Sequence, residues 1–174
     1  MKMSKQSLLR PLDVAVALRL SREPGSTFET IADDLEMSVS VAHGAVTRLR
    51  NAGLVQAESR KVNRHALLEF LAHGVKYAFP PSRGGSARGV PTAHSAPVLA
   101  DQLVAEDVII WPSAEGRTIG NSLTPLYERA PSLALKSPAE YDMLALVDAI
   151  RIGGARERSL ALDALRQRIY HPAA

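Results

Sequence analysis

Apolar residues recur at helical spacing along the first eighty or so positions and again near the end of the chain. Leu12, Val16, Leu18 and Leu20, with the alanines between them, give one apolar face from about Leu9 to Arg22. Pro11 fits the first turn of such a helix, where its missing N–H costs nothing, and Pro24-Gly25 stops it. Ser26 or Thr27 caps a second helix, Phe28 to Leu35, whose Phe28, Ile31, Ala32 and Leu35 stand at i, i+3, i+4 and i+7. Glu36-Met37 makes a turn. Ser38 then caps a third helix reaching about Ala52, with Ala42, Val46 and Leu49 as its inward stripe. Gly53 ends it, since glycine tolerates the left-handed geometry of a helix C-terminus. Leu54-Val55 reads as a short strand, and Gln56 to Asn63 is polar, basic and brief. Asn63 caps a fourth helix, Arg64 to about Tyr77, with Leu67, Leu68, Phe70, Leu71 and Val75 on one side. Phe79-Pro80-Pro81 closes this first unit.

The pattern weakens from Pro80 to Lys136. Ser82 to Thr92 is rich in Gly and Pro and predicts an irregular loop; Val108 to Trp111 predicts at most one short strand. A loop region this long is uncommon in a compact domain unless it is functional or packed on something. Periodicity returns at Ser137-Pro138-Ala139-Glu140, which combines a Ser cap, Pro at the first helical position and Glu at the third. Tyr141, Leu144, Val147 and Ile150 share one face, Gly153-Gly154 breaks the helix, and Ala155 to Tyr170 resumes with Leu162, Leu165 and Ile169. The expected architecture is mainly α: a helical unit over 1–80, an irregular segment over 81–136 and a C-terminal helical hairpin over 137–174. That hairpin is short for an independent core, so it is expected to dock on a partner or to dimerise.

Composition narrows the class. The chain has 174 residues, 46% of them hydrophobic and only 5% aromatic, which suits helices better than a sandwich. It has no cysteine, which excludes disulfides and thiolate metal sites. Charges interrupt the apolar run of the first residues, and no stretch approaches the roughly 20 apolar residues of a membrane span, so a cytoplasmic protein is expected. Residues 1–90 hold 13 Lys/Arg against 8 Asp/Glu, whereas 91–174 hold 8 against 10. A basic first half suits a polyanionic partner.

The short helix, tight turn and second helix, followed at once by Gly-Leu-Val, carry the functional signal. Small and polar residues open the third helix, at positions pointing away from the core stripe, where they reach base edges in a major groove. The run Thr27 to Val55, with Ser38, Ser40, Val46, Arg48-Leu49 and Gly53-Leu54-Val55 at their spacing, resembles the winged helix-turn-helix of MarR-like bacterial transcriptional regulators. The resemblance implies a winged helix-turn-helix with a recognition helix at about 38–52, double-stranded DNA as the partner, and usually a homodimer. Two departures stand out. Gly44 occupies a position where such proteins often carry arginine, and the wing is reduced to Glu58 through Asn63, a minimal β-wing.

The expected DNA-binding residues are Ser38, Ser40, Val41, His43, Gly44, Thr47, Arg48, Arg50, Arg60, Lys61 and Arg64. Arg48 either meets DNA or pairs with an acid such as Asp33 or Asp34; Arg50 is expected in solvent; His43 faces outward toward base or phosphate. No two histidines have metal-ligand spacing beside a carboxylate. Arg83 through Gly89 lacks the Gly-Lys-Ser/Thr ending of a phosphate-binding loop and reads as a flexible basic loop that, if functional, touches the DNA backbone. The acids of the last two helices have arginines nearby and form solvated pairs rather than acid–base machinery. The expected function is sequence-specific DNA binding and transcriptional control, repression foremost, by a homodimer on a palindromic site, with no enzymatic activity and no cofactor. The alternative is a protein-interaction or antitoxin-like module that binds a partner protein through residues 82–171.

Overall fold

The computed structural model describes residues 8–173. Nine α-helices and three strands follow one another in this region. They are α1 (Pro11–Arg22), α2 (Phe28–Asp34), α3 (Val39–Asn51), α4 (Arg64–His73), α5 (Val75–Ala78), β1 (Arg83–Pro91), α6 (Pro97–Ala100), β2 (Ile109–Pro112), β3 (Thr118–Leu123), α7 (Ala130–Lys136), α8 (Pro138–Ile152) and α9 (Ala155–Tyr170). A single 3-10 turn, Ala93–Ser95, joins β1 to α6. The fold is mainly helical with a small three-stranded sheet.

Local chemistry sets the helix starts as the sequence suggests. The Thr27, Ser38, Asn63 and Ser137 side chains accept the N–H of Thr30, Val41, Ala66 and Glu140, each satisfying one of the free donors of a helix N-terminus. Gly53 has φ +77°, the left-handed cap that turns the chain out of α3. The fourth helix departs from expectation. It ends at His73, and Gly74, overlain by the Phe70 ring, separates it from the single turn α5. The expected strand Leu54-Val55 reduces to one bridge, Val55 to Val62. Bonds from Gln56 N to Lys61 O and from Asn63 N to Leu54 O, both 2.9 Å, complete a very short hairpin.

The expected irregular segment 81–136 is corrected: it holds all three strands and two helices. β1 pairs antiparallel with β2 (Val90 opposite Trp111) and with β3 (Arg88 opposite Ile119), and β2 runs parallel to β3 (Ile110 opposite Ser122). The three strands thus close on themselves. So tight a closure needs small residues inside; a side chain at Gly89 would collide with the Trp111 carbonyl. Glycine in a strand marks such close backbone approach, and for that reason Ser82 to Thr92 lacks an ordinary strand signature.

One continuous hydrophobic cluster runs from Val14 in α1 to Ile169 in α9. Helices α1 and α8 lie at its centre. Val14 through Ser21 and Met143 through Arg151 are buried without interruption, as expected for helices covered on every side. The hairpin α8–α9 therefore docks within its own chain, against α1 and α4, and its apolar faces need no second copy to cover them. Asp148 of α8 fastens the strands to this centre. Fully buried, it accepts the Thr92 hydroxyl (2.8 Å) and the Trp111 indole N–H (2.6 Å) and pairs with Arg151 (2.8 Å). Burial pushes its carboxyl pKa up, and the Arg151 guanidinium opposes that shift. Arg151 also donates to the Phe79 carbonyl. Nearby, the Tyr141 hydroxyl donates to the Pro91 carbonyl at 2.6 Å. No helix among the described residues is long and apolar enough to cross a membrane.

Candidate nucleic-acid interface

Helix α3 divides cleanly into two faces. Ala42, Ala45, Val46 and Leu49 are buried in the cluster that holds Ile31, Leu35 and α1. Ser38, Ser40, Val41, His43 and Thr47 are exposed, and Gly44 lies half-buried beside them. The sequence places these residues correctly because the period of 3.6 leaves them no other side once Val46 and Leu49 face inward. Val39 joins the outer row, 43% exposed. The Thr47 hydroxyl donates back to the His43 carbonyl at 3.0 Å, so its lone pairs rather than its hydrogen are free for a ligand.

Phe28 extends this face beyond α3. Its ring meets the His43 ring with centroids 4.9 Å apart, and the Arg60 guanidinium lies over its other contact surface at 5.1 Å. Arg60 also donates to the Ser26 carbonyl at 2.7 Å. The hairpin is thereby pinned to the loop before α2, and His43, Phe28 and Arg60 form one continuous patch. Phe28 reads from its spacing as a core residue, so periodicity alone misses its place in this patch.

The cations divide differently from expectation. Arg48 pairs with Asp13 of α1, not Asp33 or Asp34, through two bonds of 2.8 and 2.7 Å. The Asp13 side chain is 1% exposed and that of Arg48 11%; hydrogen bonding to Asp13 raises the guanidinium pKa further. Asp34 is occupied by Arg19 instead, at 2.8 Å. Gly44 now has a structural reason: the Arg48 guanidinium passes 3.3 Å from where a Cβ would stand. Arg50 is not in solvent; it donates twice to the Ser59 carbonyl, at 3.3 and 3.0 Å, tying the hairpin to α3. Among the described residues, the Lys61 and Arg64 side chains have no ion-pair or hydrogen-bond partner. With Gln56, Asn63, Leu20 and Pro24 they line an open groove of about 610 Å³. Glu29 and Asp33 are exposed on α2.

The turn into α3 is held from far along the chain. Glu36 has φ +54°, an uncommon conformation for a side chain of its size. Tyr127, buried, donates its hydroxyl to the Leu35 carbonyl at 2.6 Å, and burial raises its pKa to about 12, so it stays a neutral donor. The Glu36 carboxylate accepts the Ser132 hydroxyl at 2.9 and 3.0 Å and pairs with Lys136, both on α7. Those two partners hold its pKa below the usual glutamate range. Nothing in the local sequence pattern signals this clamp, which joins residues about a hundred positions apart. Searches of protein-family models, curated proteins and solved structures find no match to this chain.

Proposed function

We propose that α2 and α3 with the 55–62 hairpin act as a winged helix-turn-helix of the MarR-like kind, and that the protein is a sequence-specific DNA-binding transcriptional regulator. The observation that carries this reading is the outer row of α3. Ser38, Ser40, Val41, His43 and Thr47 stand exposed along one face of a helix anchored by its opposite face, from its N-cap to past its middle. Short polar side chains there allow the backbone to approach base edges, where Ser and His exchange hydrogen bonds, and Val41 suits a thymine methyl. Lys61 and Arg64, without side-chain partners among the described residues, neutralise phosphates in this reading. Arg48 and Arg50 serve the scaffold instead, holding α3 to α1 and to the hairpin.

Two-fold operators are the usual route by which such modules gain specificity, so a homodimer on a palindromic site, acting as a repressor by occupying it, completes the reading. Capture of a partner protein is the competing reading, and the exposed Val39 and Val41 are what favours it. The α8–α9 part of the surface first assigned to it is covered within the chain, while Val108, Ile119 and Leu135 in its 82–136 part are exposed. A competition mobility-shift assay separates the two. A labelled duplex from upstream of the gene, challenged with unlabelled upstream and scrambled duplexes, is displaced preferentially by the upstream one if the protein is a regulator. Equal displacement by both, or no shifted complex at low salt, refutes that role.

A further inference from the structure

The ribbon formed by β1 and β3 carries a second exposed face, outside the interface described above. Ser86 stands opposite Asn121 and Arg88 opposite Ile119. Successive side chains of a strand point to opposite faces, so these four share one side; Arg117 lies in the turn just before β3, close to Glu115 and Thr118. All five are exposed, Ile119 to 61%. The alternate positions, Ala87, Gly89, Thr118 and Gly120, are covered or half-covered on the inner side. Among the described residues, neither Arg88 nor Arg117 enters an ion pair or a side-chain hydrogen bond, whereas Arg83 at the start of β1 pairs with Asp107. Asp107 is taken up by Arg83 and His94, and Glu115 stands in the turn before β3.

We propose that this ribbon face is a second contact for duplex DNA, gripping phosphates beside the stretch that α3 reads. Two free guanidiniums flanked by Ser and Asn, against the single Glu115 exposed in the turn that also carries Arg117, complement a polyanion. Helix α7 links the strands to the turn before α3. Leu135 of α7 lines one groove with Val90, Pro91 and Thr118, and the same short helix holds Glu36, two residues before the Ser38 cap, through Ser132 and Lys136. The contact presupposes that α3 reads the same duplex.

Fluorescence polarisation over a salt series, with a labelled duplex from upstream of the gene, tests it on the full chain. Phosphate contacts set the slope of log affinity against log salt, by about 0.9 per phosphate neutralised. The double variant Arg88→Gln, Arg117→Gln is expected to bind about tenfold more weakly at moderate salt and to lose close to two units of slope. Arg88→Lys, Arg117→Lys keeps the charge and retains most of the affinity. Emission of Trp111, which is buried in β2 next to β1, reports that the ribbon is intact in both. If the wild type binds and the Gln pair binds with unchanged affinity and slope, the ribbon contact is refuted while the reading of α3 stands. If the wild type forms no complex at low salt, both fall together. If the Lys pair is as weak as the Gln pair, phosphate gripping by charge is wrong.

Discussion

Arg48 shows how a side chain that reads as a DNA contact can belong to the scaffold. Its guanidinium makes two bonds to Asp13, whose carboxylate also accepts the Arg10 N–H at 2.8 Å. Breaking a buried pair leaves a charge without its partner, which costs more than the pair itself contributes. Arg48→Ala is therefore expected to destabilise the protein by about 3 kcal/mol, read from the midpoint of urea denaturation. The surviving folded protein should keep its preference among DNA sequences. A variant of wild-type stability with altered preference would return Arg48 to the interface. The sequence placed Arg48 on the correct side of α3 for either role. The choice depended on Asp13, thirty-five positions earlier, and no local pattern connects the two. Ser38, Ser40, His43 and Thr47 were legible for the opposite reason: the position of each follows from its own helix's apolar stripe.

At the scale of elements, the turn between α2 and α3 is the joint that matters, because it sets the direction of the outer row. Tyr127→Phe removes the hydroxyl and leaves the Leu35 carbonyl without its donor, at an expected cost of about 1–2 kcal/mol in a denaturation experiment. The α7 side of the clamp is pH-dependent. Glu36 has its pKa lowered in the folded state by Lys136 and Ser132, so its contribution is present above the ordinary glutamate range and is lost as pH falls through the depressed folded value. Glu36→Gln should therefore lose about 0.5–1 kcal/mol at neutral pH. Denaturation midpoints of wild type and variant should converge in acid; a penalty that stays constant across pH would mean that the carboxylate acts through shape rather than charge. Helix starts and the Gly53 cap were readable from single residues. The short strand expected over Val108–Trp111 corresponds to β2, but β1 and β3 were not readable: β1 is held by neighbours that approach its glycines, so the residues that permit the closure are the ones that argue against a strand.

For the whole molecule, the continuity of the core is the main consequence. Periodicity divides the chain into an N-terminal unit, a weak middle and a hairpin; the first and last survive as sets of helices, whereas the middle holds the three strands. Yet α1 is buried partly by α8 and α9, and Asp148 binds the strands to α8 through Thr92 and Trp111. A fragment ending at residue 80 would expose the face of α1 that the last two helices cover. It is expected to lack a cooperative thermal transition in near-UV circular dichroism, whereas the full chain melts in one step. A fragment that melts as sharply as the intact protein would show that the first unit stands alone. The sequence could not reveal this interdependence, because apolar stripes state that a face is covered and not by what.

The central claim, that the outer row of α3 reads base pairs while the free cations supply affinity, is most directly tested by one comparison. Affinities for the upstream and a scrambled duplex are measured for the wild type, for Ser40→Ala with His43→Ala, and for Lys61→Ala with Arg64→Ala. The account predicts that the first pair of changes reduces the ratio of the two affinities by about tenfold or more, with little loss on the scrambled duplex. The second pair should weaken both duplexes equally. A ratio unchanged by Ser40→Ala with His43→Ala, or one altered by the cation pair, would contradict it.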